Sequence, residues 1–115
     1  VSLLVDYDRN AGVLYLATML GRPHEEARLR VYEMLLLYNG AARETGGGRM
    51  LLEEPGGEVV LQLGVEVAGL DASALAAMLG NLQEVAGHWR RLVAAPPDQT
   101  RTDGQGPSHF GIIRG

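Results

Sequence analysis

The 115-residue sequence contains no cysteine. That absence excludes a disulfide framework, thiolate chemistry and any cysteine-built zinc site, and it suits a reducing compartment. Lysine is absent too: the ten basic residues are all arginine, which we read as the codon usage of a GC-rich genome. Positive charge is in short supply against 14 acidic residues, giving a net charge of -4, and the arginines are scattered. A nucleic-acid binder needs a basic face for phosphate contacts, so that class is disfavoured. No apolar run approaches the roughly 20 residues of a membrane-spanning helix, so membrane insertion is not expected. The opening carries Asp6 and Asp8 and no basic n-region, so residues 1–20 are not expected to act as a signal peptide. Since it starts at Val1, the sequence is read as a fragment whose true start lies upstream.

Hydrophobic residues make up 46% and charged residues 21%, the balance of one compact domain. A chain of this size buries only about two thirds of the surface its unfolded form exposes. The expectation is a single domain over residues 1–95 and a tail over 96–115.

Residues 2–7 and 13–20 are apolar runs separated by the turn-like Asp8-Arg9-Asn10-Ala11-Gly12, and they read as two strands of a meander. In the second run Val13, Tyr15, Ala17 and Met19 share one face and Leu14, Leu16, Thr18 and Leu20 the other, so neither face is polar. Such a strand needs covering on both sides. Pro23 followed by Glu25 and Glu26 starts a helix expected over about 24–38. Its apolar residues, Leu29, Val31, Tyr32, Met34, Leu35, Leu36, Leu37 and Tyr38, make a band too wide for one contact, which suggests burial on two sides. Asn39-Gly40 ends or loosens the helix, and Thr45-Gly46-Gly47-Gly48 supplies a flexible turn.

Residues 49–53 and 58–67 flank Glu54-Pro55-Gly56-Gly57 and read as a hairpin. Asp71 is a natural N-cap for a helix over about 72–93, whose apolar stripe recurs at three- and four-residue steps from Leu75 to Trp89 and Val93. Pro96-Pro97 ends it. From Asp98 the chain is Gly, Pro and polar until Phe110, Ile112 and Ile113, and disorder is expected, with that apolar trio as a docking segment in the alternative.

The supply of catalytic groups is thin. His24, His88 and His109 have no mutual spacing that puts two imidazoles on one metal, and no metal or other cofactor is expected. His24 fits helix-start electrostatics better than ligation, and His88 fits the edge of an amphipathic stripe better than a general base. Gly46-Gly47-Gly48-Arg49 lacks the Lys-Ser/Thr of a phosphate loop and leads into a strand. Glu53-Glu54 are solvated carboxylates at a turn. Ser2, Ser73 and Ser108 lack a nucleophile elbow. No enzyme is expected. The surplus instead is apolar surface, which points to a dimer, a peptide binder or both.

The stretches Met34-Leu35-Leu36-Leu37-Tyr38-Asn39 and Gly48-Arg49-Met50-Leu51-Leu52-Glu53, the alternating strand to Val67, Leu70-Asp71 and the helix ending His88-Trp89-Arg90-Arg91-Leu92 resemble the class I type III secretion chaperones, the family of the Tir chaperone. The resemblance covers about residues 1–93. It implies a non-enzymatic, cytoplasmic homodimer of α+β fold, a twisted antiparallel sheet flanked by helices, which holds the N-terminal segment of a secreted effector in extended form without ATP. The secretion apparatus is a further partner it suggests. By the same resemblance the dimer contact falls on Leu35, Leu36, Tyr38, Leu61 and Leu63, and the cargo surface on Leu3, Val5, Leu14, Leu16 and Met19, with edge-strand pairing as the physical mode. Leu16 is expected on an exposed strand face. The family's first helix has no counterpart here and is expected upstream of Val1, the alternative being a divergent member that lacks it.

Two competing readings are a dimeric adaptor of the same fold that binds a folded partner, and a small hydrolase. The first is separated from the leading reading by whether an isolated effector peptide suffices for binding. The second requires an acid–base pair around His88 that the sequence does not show.

Overall fold

A computed structural model describes residues 3–41, 47–54 and 56–97. The expected tail from residue 98 and the first half of the turn expected over 45–48 lie outside the described residues. Strand β1 (Leu4–Asp8) turns back into β2 (Val13–Gly21). A short 3-10 turn, Glu25–Ala27, leads into α1 (Arg28–Gly40), followed by β3 (Gly48–Glu53), β4 (Glu58–Glu66) and α2 (Ala72–Ala94). All strand pairs are antiparallel, in the order β1-β2-β4-β3. The α+β class expected from the sequence is the class observed.

Local chemistry explains the elements. The Asp8 carboxylate accepts from the backbone N–H groups of Asn10 and Ala11, and Gly12, at φ +68°, closes the β1–β2 turn by donating to the Asp8 carbonyl at 2.8 Å. The Asp71 carboxylate caps α2 by accepting from Ala74 N–H at 2.8 Å. Near its end β2 carries a bulge, where Met19 and Gly21 pair with the adjacent Val60 and Val59. Gly21 sits there at φ +101°, a backbone that side chains rarely adopt.

Register divides the sheet into two faces. Leu14, Leu16, Leu63, Leu61 and Met50 fall on one face, with Val5 and Tyr7 opposite Leu16 and Leu14. Both helices pack against this face. The core joins Leu16, Leu20, Met50, Val59, Leu61 and Val65 of the sheet to Val31 and Leu35 of α1 and Leu82, Ala86, Trp89 and Val93 of α2. The other face bears Leu4, Asp6, Tyr15, Ala17, Met19, Val60, Gln62 and Arg49, and neither described helix covers it. One close approach there depends on a missing side chain, since a Cβ on Gly64 would lie 3.2 Å from the Tyr15 ring.

Leu16 is therefore not on an exposed face. It is 2% exposed, because the even-numbered residues of β2 point toward the helices. Leu16→Ala is expected to lower unfolding stability by about 2–5 kcal/mol, the range for emptying a packed leucine site. Leu16→Asp should prevent folding altogether; urea denaturation followed by circular dichroism checks both.

Candidate binding surfaces

Two polar contacts fix where α2 sits. The Arg90 guanidinium donates through Nε to the Met19 carbonyl at 3.1 Å and through Nη2 to Thr18 Oγ1 at 2.7 Å. One turn on, His24 Nε2 lies 3.1 Å from the Ala94 carbonyl, joining the start of the first helical segment to the end of α2. The C-terminal turns of α2 are thus held at the Thr18–His24 end of the sheet. Trp89 sits beneath, with Tyr38 of α1 edge-on to its ring at a centroid distance of 5.5 Å.

The position of α1 is fixed by Asn39. Its side-chain amide donates through Nδ2 to the Met50 carbonyl at 3.0 Å, and its Oδ1 accepts from Met50 N–H at 2.7 Å. β3 is an edge strand, so a primary amide that bonds both polar groups of one backbone residue imitates a neighbouring strand. This edge is closed at its centre. Helix α1 buries Val31 and Leu35 beneath it and leaves Leu29 74% and Leu36 72% exposed, with Leu37 beside them. Leu29 and Leu36 are seven residues apart, two helical turns, so they share a face.

Among the described residues the other edge is open. β1 contacts β2, neither helix packs substantially on it, and every residue from Leu3 to Asp8 is exposed. Leu3, Val5 and Tyr7 look toward the helix side and Leu4 toward the open side, with Val5 58% exposed. An unpaired edge with apolar residues on both sides is a template for another strand.

A groove of about 480 Å³ lies between the helices, lined by Tyr38, Leu61, Leu63, Met78, Leu82 and Val85 among others. It exists because the N-terminal half of α2 is only half-buried: Leu75, Met78 and Leu79 border the core rather than enter it. A smaller polar hollow of about 310 Å³ on the open face is bounded by Tyr15, Arg49, Gln62 and Glu66.

The residues expected from the resemblance fall on different surfaces. Among the cargo candidates Leu3 and Val5 belong to the open edge, Leu14 is partly buried beside them, Leu16 is core, and Met19 points to the opposite face. Among the dimer candidates Leu36 is exposed, Tyr38 and Leu63 border the groove, and Leu35 and Leu61 are buried within the single chain. Leu29, Leu37 and Tyr7, outside both sets, are exposed apolar residues that join these surfaces. The seven-residue step from Leu29 to Leu36 is a signal that could have marked the helix stripe. Of the histidines, His24 is engaged by the Ala94 carbonyl, and His88 lies edge-on to Trp89 on the exposed side of α2. Among the described residues no three His, Asp or Glu side chains gather in a group that could hold a metal ion. No described helix is long and apolar enough to cross a membrane.

The model of the Tir chaperone protein (CesT) family matches residues 2–90 of the chain. No curated protein and no solved structure gives a significant match.

Asn39→Ala would strip the two amide contacts from a partly buried strand. The expected loss is about 1–3 kcal/mol of stability, the range for leaving buried backbone groups unpaired. Amide hydrogen exchange should show it first at Met50; unchanged protection there would mean that Asn39 does not close the edge.

Proposed function

The chain belongs to the Tir chaperone protein (CesT) family, type III secretion chaperones that bind effectors without enzymatic activity, and we propose that it is a cytoplasmic homodimer that holds one effector's N-terminal segment in extended form along β1. The observation that carries the cargo reading is the difference between the two sheet edges. β3 has its central backbone groups taken by Asn39, whereas β1 is open along its length and apolar on both sides. An extended segment added to β1 would gain main-chain hydrogen bonds from the edge and side-chain contacts from Leu3, Val5 and Tyr7 on one side and Leu4 on the other. Such binding needs no folded cargo.

The dimer rests on α1. Leu29, Leu36 and Leu37 form an exposed apolar stripe on a helix whose opposite side is already in the core. A second copy presenting the same stripe gives a self-complementary contact, as a two-fold dimer requires. Tyr38 and Leu63, at the groove beside this helix, extend the contact inward. The secretion apparatus is a partner of the loaded dimer in this reading.

Light scattering of the purified chain should give twice the chain mass, and Leu29→Glu with Leu36→Glu should give a monomer with its helical circular dichroism retained. Both side chains are solvent-exposed in the single chain, so their loss should shift its stability by no more than about 0.5 kcal/mol. A dimer that survives both changes would remove α1 from the interface.

Val5→Asp should leave the dimer intact and lower capture of effectors encoded nearby, and of their isolated N-terminal peptides, at least tenfold. Capture that requires a folded effector domain, or that ignores the Val5 change, would overturn the extended-cargo reading.

A further inference from the structure

Every copy of the chain presents the same edge at β1, and that edge is complementary to itself. We propose that, when no cargo is bound, β1 of one copy pairs antiparallel with β1 of a second copy about a two-fold axis through Val5, joining the two sheets edge to edge. The pairing stands on β1 alone; its consequence, that an effector and a second copy exclude each other, rests on β1 being the cargo edge.

Three observations carry it. The first is that the edge is prepared for a strand. β1 pairs with β2 without a bulge, from Leu4 opposite Ala17 to Asp8 opposite Val13, and among the described residues its other side is unpaired. It holds no proline and no basic residue, two of the devices that blunt an edge. An antiparallel two-fold pair puts the helices of both copies on the same side of the joined sheet. Neither helix packs substantially over β1, which leaves room there for both copies.

The second is register. A two-fold contact between identical strands is fixed by the residue that lies opposite itself. Directly opposed side chains share a face of the sheet, so opposed like charges work against pairing. An axis through Asp6 sets Asp6 against itself, one through Tyr7 sets Asp6 against Asp8, and one through Asp8 sets Asp8 against itself. An axis through Leu4 pairs only Leu3 to Val5 of the described residues. The axis through Val5 pairs the strand from Leu3 to Tyr7: Val5 meets Val5 and Leu3 meets Tyr7 on the helix side, while Leu4 meets Asp6 on the other. It is the longest of these registers in which no carboxylate faces another.

The third is what the contact covers. Leu3, Leu4, Val5 and Tyr7 are all exposed in the single chain, and this register gathers Leu3, Val5 and Tyr7 of both copies into one apolar row. β1 and α1 lie at opposite edges of the sheet, because α1 packs against β3. The β1 contact therefore adds to an α1 dimer without competing with it. One strand per copy makes a small, transient interface, and the two Asp6 carboxylates remain diagonal neighbours across the axis. Both features keep the pair weak enough for a cargo strand to displace.

Sedimentation velocity of the full chain carrying Leu29→Glu and Leu36→Glu, without cargo, isolates the contact. The dimer fraction should rise with concentration, Val5→Asp should abolish it, and Asp6→Asn should tighten it about two- to fivefold by removing the diagonal repulsion. Because the chain has no cysteine, Val5→Cys and Tyr7→Cys can each be treated with a short thiol cross-linker. Val5→Cys should join two copies, whereas the two Tyr7→Cys sites lie four residues apart along the paired strands, roughly 14 Å, and should stay unlinked. Absence of association, association that ignores Val5→Asp, loosening by Asp6→Asn, or equal cross-linking at the two positions overturns the proposal. The N-terminal peptide of an effector encoded nearby should dissolve the β1 pair. A pair that persists with that peptide bound removes the mutual exclusion and β1 as the cargo edge. Capture that depends on Val5 in a chain that never associates through β1 removes the self-pairing and leaves the cargo reading standing.

Discussion

The arrangement of this domain depends on Arg90 and Asn39, two side chains that fasten helices to strand backbone. Arg90 sets α2 across β2 and β4 by engaging Met19 O and Thr18 Oγ1 at the β2 bulge. Asn39 sets α1 against β3 by taking both polar groups of Met50. With the two helices fixed there, neither is placed to cover β1. Its exposure follows from the placement of its neighbours, and polarity in its own residues is not the cause: Leu4, Val5 and Tyr7 are as suited to a core as the residues of β2.

A free sheet edge is an aggregation hazard that proteins blunt with charge, proline, bulges or a covering element. This chain closes one edge with an amide and keeps the other open, with Asp6 and Asp8 as the charges on it. The asymmetry would be costly in a protein with no use for an edge. Under the proposed cargo mode it would be the form of the site, because main-chain pairing accepts many sequences while the flanking apolar positions contribute affinity.

Much of the fold was legible from periodicity. The boundaries of β2, β4 and α2 fall within a residue or so of those expected, since alternation, the Asp71 cap and the terminal prolines are local signals. The distribution of apolar residues between core and surface was less legible. Leu16 and Leu36 both sit in leucine-rich segments, yet one is 2% and the other 72% exposed. Alternation shows that Leu14, Leu16 and Leu20 share a face, but which face the helices choose is decided by tertiary contacts that no window of sequence contains. Met19 was separated from Leu14 and Leu16 by the same parity rule, and grouping the three as one surface overrode it. The Asn39–Met50 contact was beyond reach for a different reason: Asn39 read as a helix terminator, which it also resembles, and its strand-mimicking role appears only when β3 is in place.

The two helices show why surplus apolar surface was still the informative quantity. α2 has one stripe and buries Leu82, Ala86, Trp89 and Val93 from it, so its pattern is exhausted by the fold. α1 buries only Val31 and Leu35, and its remaining leucines have no partner within the described chain. A helix with so wide an apolar band satisfies its core with one side whichever residues occupy the other. Leucine at positions 29 and 36 is therefore not required by the packing of a single subunit, where a charged residue would serve folding equally well. The same reasoning applies to Val5 on the edge strand: burial cannot be the reason for an apolar residue that the fold leaves mostly in water, and an association that covers it supplies one.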